Sequence, residues 1–527
     1  MNIDKDLQSI QEVRDLVKIA KEAQAEFKHF NQEQVDKVVK AMADAGYADA
    51  ERLAKLAHEE TGFGKWEDKI LKNQFGTKNV YDSIKDLKTV GVIDIQKNGK
   101  IVKIAEPMGV VAALIPSTNP TSTVMFKALI SLKTRNSIVA SPHPNAVMST
   151  LEAMKVISDA AEAAGAPKGL MHVLSNPTLA GTEALMKEKN VSVILATGSN
   201  PMVKAAYSAG TPAYGVGSGN VPAFIEKTAD YKKAVADIVT GTTFDNGTLC
   251  SSEQSMIVDR SIKNQVISEA KIHGCYFVND VEKKKLESIA IKDRRINPAI
   301  VGKPAHYIAE LAGFTVPADT KVLVAECNQV GRVEPLSMEK LSPVLAFYTV
   351  DGWLEGCHKC IELLEFGGMG HTMVIHSNDK EIIMKFALEK PAFRIVVNTP
   401  SSLGAVGFTT ALEPSMTLGV GTWGGSIISE NVTAKHLMNI KTLAFETSPM
   451  NTGSSVSSYN GDLSSFHLKS TTGFLGEIED RLLARAGNPT YKPIKIDKTN
   501  PKDEKKKSYG TGISADEIEK IIREFNS

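Results

Sequence analysis

Residues 109–120, GVVAALIPSTNP, set the pattern for much of the chain. The segment Val110–Ile115 is entirely apolar, and a polar loop with a proline at each end follows it. A short, uniformly apolar run predicts a strand that is buried on both faces. Because residues 122–133 have helical spacing, the stretch predicts one strand–loop–helix unit of a parallel sheet.

The same alternation continues to about residue 226. Further apolar runs occupy residues 137–140, 171–174, 191–196 and 221–225, with helical segments between them near 146–164, 180–188 and 201–209. Ligands of parallel sheets bind at the carboxyl ends of the strands. We therefore expect the loops 116–120, 141–144 and 197–200 to line a ligand site.

Other segments complete the α/β pattern. Helical spacing covers residues 4–57, and Asn98-Gly99 joins two partly alternating runs, 91–97 and 100–104, into a predicted β-hairpin. A second αβ-rich region spans about 228–430. Its predicted strands include 255–258, 322–325, 345–350 and 373–376.

Composition excludes several classes of protein. The 527 residues carry 61 basic and 61 acidic side chains, so no basic excess favours nucleic-acid binding. Five cysteines are too few for a disulfide framework, which favours a reducing, cytoplasmic location. The charged amino terminus lacks the apolar core of a signal peptide, and no apolar run is long enough to cross a membrane.

The C-terminal tail has an unusual composition. Residues 488–512 combine proline, lysine, aspartate and glycine, which predicts a solvated linker. A capping box then opens a helix whose apolar stripe comprises Ile518, Ile521, Ile522 and Phe525. This helix either folds back onto the body of the protein or docks into a groove of another protein.

Cys250 is the candidate nucleophile among the five cysteines. It lies in a polar, glycine-containing loop, residues 243–254, where backbone amides can stabilise a thiolate. Cys275 and Cys327 lie in or beside apolar stretches, and the Cys357–Cys360 pair falls in a helical stretch. We expect no metal site, since zinc needs four ligands and there is no second cysteine pair.

The loop around Cys250 resembles the active-site loop of the aldehyde dehydrogenase superfamily. Thr197-Gly198-Ser199 resembles the nicotinamide-cofactor loop of that superfamily, and Glu339 before Pro343-Val344 resembles its cofactor-ribose motif. Without the resemblance, Glu339 would be interpreted as a solvated surface residue. The motif order implies the superfamily's fold: two Rossmann-like parallel-sheet domains and a β-hairpin oligomerisation flap, here with a tethered C-terminal helix.

Further segments resemble the CoA-acylating branch of the propanediol- and ethanolamine-utilisation type. They are residues 115–123, 132–136, 141–144, 215–222, 370–372, 417–419, 421–425 and 435–441. This resemblance implies oxidation of propionaldehyde or acetaldehyde with NAD+ and CoA. The alternatives are a hydrolytic aldehyde dehydrogenase, a sulfoacetaldehyde-type acylating enzyme and a catalytically idle microcompartment scaffold.

The resemblance also implies roles for single residues. Cys250 would be the nucleophile, and Asn119 an oxyanion donor or, alternatively, a turn residue. The implied cofactor contacts are Thr197, Gly198, Ser199, Glu339, Pro116, Thr118, Pro142, His143, Gly215, Val216 and Gly217. His371 either contacts the cofactor or lies in a structural turn.

Two departures from hydrolytic relatives favour the acylating reaction and NAD+. Those relatives carry a water-activating glutamate at the position that matches Gly215, and without a base there attack by water should be slow. A thiol needs less help, since part of it is ionised near neutral pH. The loop 141–144 lacks the lysine that many hydrolytic relatives place near the adenosine ribose, which favours NAD+ over NADP+.

The resemblance implies a division of the chain into segments. They are an NAD-binding domain (1–87 and 106–226), a catalytic domain (227–430), an oligomerisation flap (88–105 and 431–450), an extension (451–487), a linker (488–512) and an amphipathic helix (513–527). The flap implies a homodimer or homotetramer. Residues 513–525 resemble an encapsulation peptide, which implies binding to shell proteins inside a bacterial microcompartment.

Overall fold

The stretch 109–120 forms the predicted strand and loop in the computed structural model, which describes residues 4–292, 295–448 and 450. Strand Val110–Ile115 is buried along its whole length, and helix Pro120–Lys133 follows the loop. The predicted extension (451–487), linker (488–512) and terminal helix (513–527) lie outside the described residues.

The described part of the chain alternates helices and strands. The helices are α1 (Lys5–Phe27), α2 (Gln32–Ala48), α3 (Ala50–Thr61), α4 (Trp66–Gln74), α5 (Val80–Ile84), α6 (Pro120–Lys133), α7 (Val147–Ala163), α8 (Leu179–Lys187), α9 (Asn200–Tyr207), α10 (Tyr231–Thr243), α11 (Lys263–Ile272), α12 (Asp280–Ala290), α13 (Ala305–Leu311), α14 (Gly352–Gly367), α15 (Lys380–Leu388) and α16 (Ser401–Gly404). The strands are β1 (Gly91–Gln96), β2 (Ile101–Pro107), β3 (Val110–Ile115), β4 (Ser137–Pro142), β5 (Met171–Val173), β6 (Val191–Thr197), β7 (Ala213–Val216), β8 (Val221–Ile225), β9 (Glu253–Asp259), β10 (Cys275–Phe277), β11 (Ile291–Lys292), β12 (Arg295–Ile296), β13 (Val322–Glu326), β14 (Val344–Val350), β15 (Gly370–His376), β16 (Ala392–Val397) and β17 (Met438–Ala444). The predicted α/β class is confirmed. No described helix has the length and apolar character that crossing a membrane requires.

Five of the described strands form a parallel sheet in the order β5-β4-β3-β6-β7. Alternate residues of β3 enter opposite cores: Ala113 packs in the core under α2, α6 and α7, and Ala112 packs in the core under α1, α8 and α9. Successive side chains of a strand point to opposite faces. Because helices cover both sides of the sheet, both faces of β3 are buried, which explains its uninterrupted apolar sequence.

A second parallel sheet has, within the described residues, the order β10-β13-β14-β9-β8-β15-β16. The run 221–225, expected among the strands of the first sheet, lies instead in this one. Its strand β8 runs between β9 and β15, with Ala223 opposite both Met256 and Val374. A strand that is apolar on both faces suits either sheet, so its pairing partners and not its local sequence decide its place.

The predicted hairpin is confirmed. Strands β1 and β2 pair antiparallel across the turn at residues 97–100, and β17 pairs antiparallel with the other edge of β2. Beyond Met438, the side chains of β17 are exposed, including Ile440 and Leu443. The role of this sheet in an oligomer stays a prediction.

Arg135 connects the hairpin of β1 and β2 to the rest of the protein through hydrogen bonds. It lies between α6 and β4 with a left-handed φ of 59° and is 6% exposed. Its guanidinium donates hydrogen bonds to the backbone oxygens of Lys28 at 2.7 Å, Thr89 at 3.3 Å and Ala105 at 2.9 Å. The side chain of Arg135 therefore supplies hydrogen bonds to backbone oxygens at the end of α1, just before β1 and on β2.

We expect Arg135→Met to lower the free energy of unfolding by about 2–4 kcal/mol, because buried carbonyl oxygens lose their donors. Urea denaturation followed by circular dichroism measures the change. Arg260→Met is the matched control, since Arg260 pairs with Asp351 on an exposed surface and its loss should leave stability almost unchanged. Equal effects of the two substitutions would contradict this role of Arg135.

Candidate active site

A cavity of about 640 Å³ lies at the carboxyl ends of strands in the first sheet. All three loops expected to line a ligand site contribute residues to it. The predicted site residues that line the cavity are Cys250, Asn119, Thr197, Gly198, Ser199, Glu339, Pro116, Thr118, Pro142, His143, Val216 and Gly217. Its volume falls in the range of cofactor and substrate sites.

Gly215 is the predicted site residue that does not line the cavity, so its cofactor contact stays a prediction. It lies on β7, where a Cβ atom would come within 2.6 Å of Val203 Cγ1 and 2.9 Å of Tyr207 Oη on α9. Its backbone N–H donates to that same Tyr207 hydroxyl at 2.7 Å. A side chain at residue 215 would thus point at α9, whereas the next residue of the strand, Val216, lines the cavity.

Cys250 lies on a constrained loop between α10 and β9. Asp245 and Asn246 in this loop both adopt left-handed backbone conformations, with φ of 49° and 51°. Such conformations persist in non-glycine residues when the surroundings hold them, and Asx side chains tolerate them best. Here Asn246 Nδ2 donates to the backbone oxygen of Gly302 at 3.0 Å, and Asp245 is held by several donors described below.

The thiol of Cys250 faces an imidazole. Its Sγ lies 3.2 Å from Nε2 of His371, and Nδ1 of His371 lies 2.9 Å from Thr372 Oγ1. Arg394 on β16 donates to the backbone oxygen of His371 at 2.9 Å and so fixes this end of β15. The local sequence of residues 370–372 does not indicate this contact, because no spacing links His371 to residue 250.

Burial keeps both members of this pair uncharged. It lowers the pKa of His371 to about 3, and the cation of Arg394 adds to that shift. Burial also raises the pKa of Cys250 to about 12, with a further rise from Glu339 that Arg394 and Lys72 oppose. The pair is therefore a neutral thiol beside a neutral imidazole whose Nε2 can accept a proton.

Asn119 lines the same cavity as Cys250 and is the residue just before α6. Its Oδ1 accepts a hydrogen bond from Lys72 Nζ at 2.5 Å, and its Nδ2 donates to Thr118 Oγ1 at 3.1 Å. Lys72 is a site residue that the sequence pattern does not reveal, because lysines are usually solvated and the local pattern of α4 does not mark this one as buried.

Glu339 is buried, with 6% of its surface exposed, so its interpretation as a solvated surface residue is wrong. Its Oε1 accepts a hydrogen bond from the backbone N–H of Gly219 at 2.8 Å. Burial raises the pKa of Glu339, and that N–H opposes the rise. A Cβ atom on Gly219 would lie 1.8 Å from the carbonyl oxygen of Cys250, so only glycine allows this close approach.

The loop 197–199 leads into the amino terminus of α9, whose N-cap residue is Ser199. Asn200 Oδ1 accepts a hydrogen bond from the backbone N–H of Ser218 at 2.9 Å, which joins this loop to the loop after β7. The first turn of a helix offers free N–H groups and a positive dipole end, both suited to a phosphate. Together with the buried carboxyl of Glu339, this arrangement fits a dinucleotide.

The remaining cysteines lie away from this cavity. Cys275, Cys327, Cys357 and Cys360 are all buried, and the last two lie on α14, as the helical pattern predicted. Burial raises the pKa of Cys275 to about 12. Of the chain's five cysteines, all of them at described positions, Cys250 is thus the one that lines the cavity.

Comparison with known proteins gives consistent matches. The model of the aldehyde dehydrogenase family matches residues 6–274. The bifunctional aldehyde-alcohol dehydrogenase AdhE of Escherichia coli strain K12 is 46% identical over 442 residues, which cover 83% of this chain and 50% of that protein. The chain thus spans about half the length of the aldehyde-alcohol dehydrogenases that it matches.

Solved structures are similar over most of the described residues. An acetylating aldehyde dehydrogenase from Geobacillus thermoglucosidasius is 52% identical, with a TM-score of 0.84, and the match covers 85% of this chain and 100% of that chain. A propionaldehyde dehydrogenase from the Clostridium phytofermentans fucose utilisation bacterial microcompartment is 28% identical, with a TM-score of 0.75. That match covers 82% of this chain and 97% of that chain.

We expect Glu339→Gln to move the alkylation of Cys250 by iodoacetamide to lower pH, because the carboxylate of Glu339 raises the pKa of the thiol. Rates are measured against pH by mass spectrometry of the peptide that contains Cys250. Glu334→Gln is the matched control, since this buried glutamate raises the pKa of Cys327 instead. An unchanged profile in Glu339→Gln would contradict the electrostatic coupling.

Proposed function

The chain belongs to the aldehyde dehydrogenase family, and on that premise we propose that it oxidises a short-chain aldehyde with NAD+ and CoA to acyl-CoA and NADH. The observation that carries this proposal is the thiol of Cys250, 3.2 Å from the imidazole of His371 in a cavity lined by the predicted cofactor loops. The acetylating relative at 52% identity supports CoA, rather than water, as the acyl acceptor.

In the first step, Cys250 Sγ bonds to the aldehyde carbon while the carbonyl π bond opens onto oxygen. The thiol proton passes to Nε2 of His371. Because burial disfavours both charged forms, the proton leaves as the bond forms and not before. The resulting oxyanion needs donors, and the backbone N–H of Cys250 and Nδ2 of Asn119 are the candidates.

NAD+, when bound, supplies the hydride acceptor. The loop 197–199 at the start of α9 would hold its phosphates, and Glu339 would accept hydrogen bonds from a ribose. Among the described residues that line the cavity there is no lysine or arginine to pair with the 2′-phosphate of NADP+. We therefore propose NAD+ as the preferred cofactor.

Loss of a hydride from the former aldehyde carbon to the acceptor re-forms the C=O bond and leaves an acyl-cysteine thioester, and His371 releases its proton to solvent. The CoA sulfur then bonds to the acyl carbon, the bond from that carbon to Cys250 Sγ breaks, and the CoA proton passes through His371 to the leaving sulfur of Cys250. His371 is a weak base, since burial lowers its pKa to about 3. A thiol of pKa ~8.5 gives up its proton about seven orders of magnitude more readily than water of pKa ~15.7. Such a base favours transfer to CoA over hydrolysis.

The cavity lining supports a small, uncharged substrate such as propionaldehyde or acetaldehyde. Phe63, Leu179, Leu249 and Met416 contribute apolar surface to the cavity. A sulfoacetaldehyde-type substrate would bury its sulfonate without a lysine or arginine partner among the described lining residues, which is costly. An idle scaffold would need neither the thiol–imidazole pair nor the buried Glu339.

We further propose a homodimer or homotetramer built through the hairpin sheet. Strand β17 carries Ile440 and Leu443, which are 45% and 47% exposed, and Ile95 on β1 is 42% exposed. Apolar side chains on a small exposed sheet favour burial against another surface. A second copy of the chain is the partner that the family resemblance implies.

The terminal helix, residues 513–525, is proposed to dock on shell proteins of a bacterial microcompartment. The support is its amphipathic sequence after a polar linker, together with a 28%-identical relative from such a compartment. The alternative is a helix that folds back onto the enzyme body.

Purified protein should form NADH from propionaldehyde and NAD+ only when CoA is added, as measured by absorbance at the NADH band. Cys250→Ala should lower kcat by more than about 10³-fold, because it removes the nucleophile. Cys275→Ala is the matched control, since Cys275 is buried away from the cavity. Equal turnover without CoA would instead support the hydrolytic alternative.

Deletion of residues 513–527 should leave kcat/KM unchanged and abolish co-sedimentation with shells assembled from purified shell proteins. A variant with Ile518, Ile521, Ile522 and Phe525 all replaced by serine should behave like the deletion, since it removes only the apolar stripe. If either variant instead loses activity or thermal stability, the helix folds back onto the enzyme.

A further inference from the structure

Lys72 is a buried cation next to the active site that the proposed reaction does not use. It lies on α4 (Trp66–Gln74) and is 4% exposed. Burial lowers its pKa to about 8, and the carboxylate of Asp245 opposes the shift. Burying an ammonium group is costly, so its partners indicate what it does.

The ammonium group of Lys72 has three acceptors on side chains near the nucleophile. They are the carboxylate of Asp245, Asn119 Oδ1 at 2.5 Å and Thr248 Oγ1 at 3.0 Å. An ammonium group has three donors and no acceptor, so these partners use its whole capacity. Lys72 thus joins the loop after β3 to the loop that carries Cys250.

This contact determines which way the amide of Asn119 points. Because Lys72 can only donate, the amide must present its oxygen to Lys72. The amide nitrogen therefore points away from the lysine, where Nδ2 lies 3.1 Å from Thr118 Oγ1. Asn119, Thr118 and Cys250 all line the same cavity. The amide nitrogen carries two hydrogens, so its bond to Thr118 Oγ1 leaves the second one for a ligand.

We propose that Lys72 is a positioning residue that orients the amide of Asn119 so that Nδ2 serves as the second oxyanion donor. This inference rests on the proposed function, in which Cys250 generates an oxyanion. The cation also polarises the amide through its oxygen, which strengthens the N–H donors on the other side. Without Lys72, the amide is free to turn its oxygen toward the oxyanion and repel it.

Lys69 supplies a matched control on the same helix. It is 2% exposed and donates to the same Asp245 oxygen at 2.9 Å, but its other acceptor is the backbone oxygen of Thr118 at 3.1 Å. Lys69, Lys72 and Asp245 carry a summed charge of +1, so removal of either lysine leaves a neutral pair. Both variants therefore avoid an uncompensated buried carboxylate.

The test compares Lys72→Met, Lys69→Met, Asn119→Ala and the double variant Lys72→Met/Asn119→Ala. The first assay is CoA-dependent aldehyde oxidation. The second is acylation of Cys250 by p-nitrophenyl acetate: sulfur bonds to the acetyl carbon, p-nitrophenolate leaves, and the thiol proton passes to His371. This second assay needs an oxyanion site but no NAD+, CoA or aldehyde.

Lys72→Met is expected to lower kcat and the acylation rate by about 10–10³-fold, the range for loss of one oxyanion donor, with KM nearly unchanged. Lys69→Met should lower both rates at least about tenfold less than Lys72→Met does, because Lys69 shares the contact with Asp245 but does not contact the amide of Asn119. Lys72→Met should have almost no further effect in the Asn119→Ala background, because residues that act through one another are not additive. Thermal unfolding should be affected similarly by both lysine substitutions.

Equal losses in Lys72→Met and Lys69→Met, or full additivity with Asn119→Ala, would overturn the positioning role. If Lys72→Met does not fold, Lys72→Arg replaces it in the same comparison with Asn119→Ala. The planar guanidinium group of arginine holds its N–H donors in a different geometry from an ammonium group, which displaces them from the amide oxygen of Asn119. Absent aldehyde oxidation combined with intact, Lys72-dependent acylation would refute the proposed function alone. Normal oxidation in Lys72→Met would refute the positioning role alone.

Discussion

The buried carboxylate of Asp245 is the interaction on which the active site depends. It is fully buried and accepts hydrogen bonds from the backbone N–H of Lys65 at 2.7 Å, from Thr248 Oγ1 at 2.7 Å and from the ammonium groups of Lys69 and Lys72. These contacts hold a left-handed backbone residue five positions before the nucleophile. They also join the start of α4 to the loop that carries Cys250.

Burial sets the protonation states of Cys250 and His371 as well as the packing around them. The same low-dielectric surroundings that keep Cys250 protonated keep His371 neutral, so the site holds no thiolate–imidazolium pair in advance. The proposed reaction therefore relies on fixed hydrogen-bond donors where charge develops, which act strongly when water is excluded. In the proposed reaction, the weak basicity of His371 favours a thiol over water as the acyl acceptor.

Local pattern predicted most of the fold and part of the site. Uniformly apolar runs such as 109–115 predicted strands with helices on both faces, and the loops after them were predicted to line the ligand cavity. The polar loop context identified Cys250. The placement of run 221–225 in the first sheet was wrong, because strand pairing decides it. His371 and Lys72 act through contacts with residues far away in the sequence.

The amino-acid sequence by itself determined the α/β class, the hairpin and the polar loops, and it made Cys250 the candidate nucleophile, because periodicity and turn chemistry are properties of neighbouring residues. Only the tertiary structure decided which imidazole faces the thiol, which way the amide of Asn119 points, and that Glu339 is buried. Such features depend on contacts between segments separated by tens to hundreds of residues. Packing brings those segments together, and the resulting burial then sets the charge of each group.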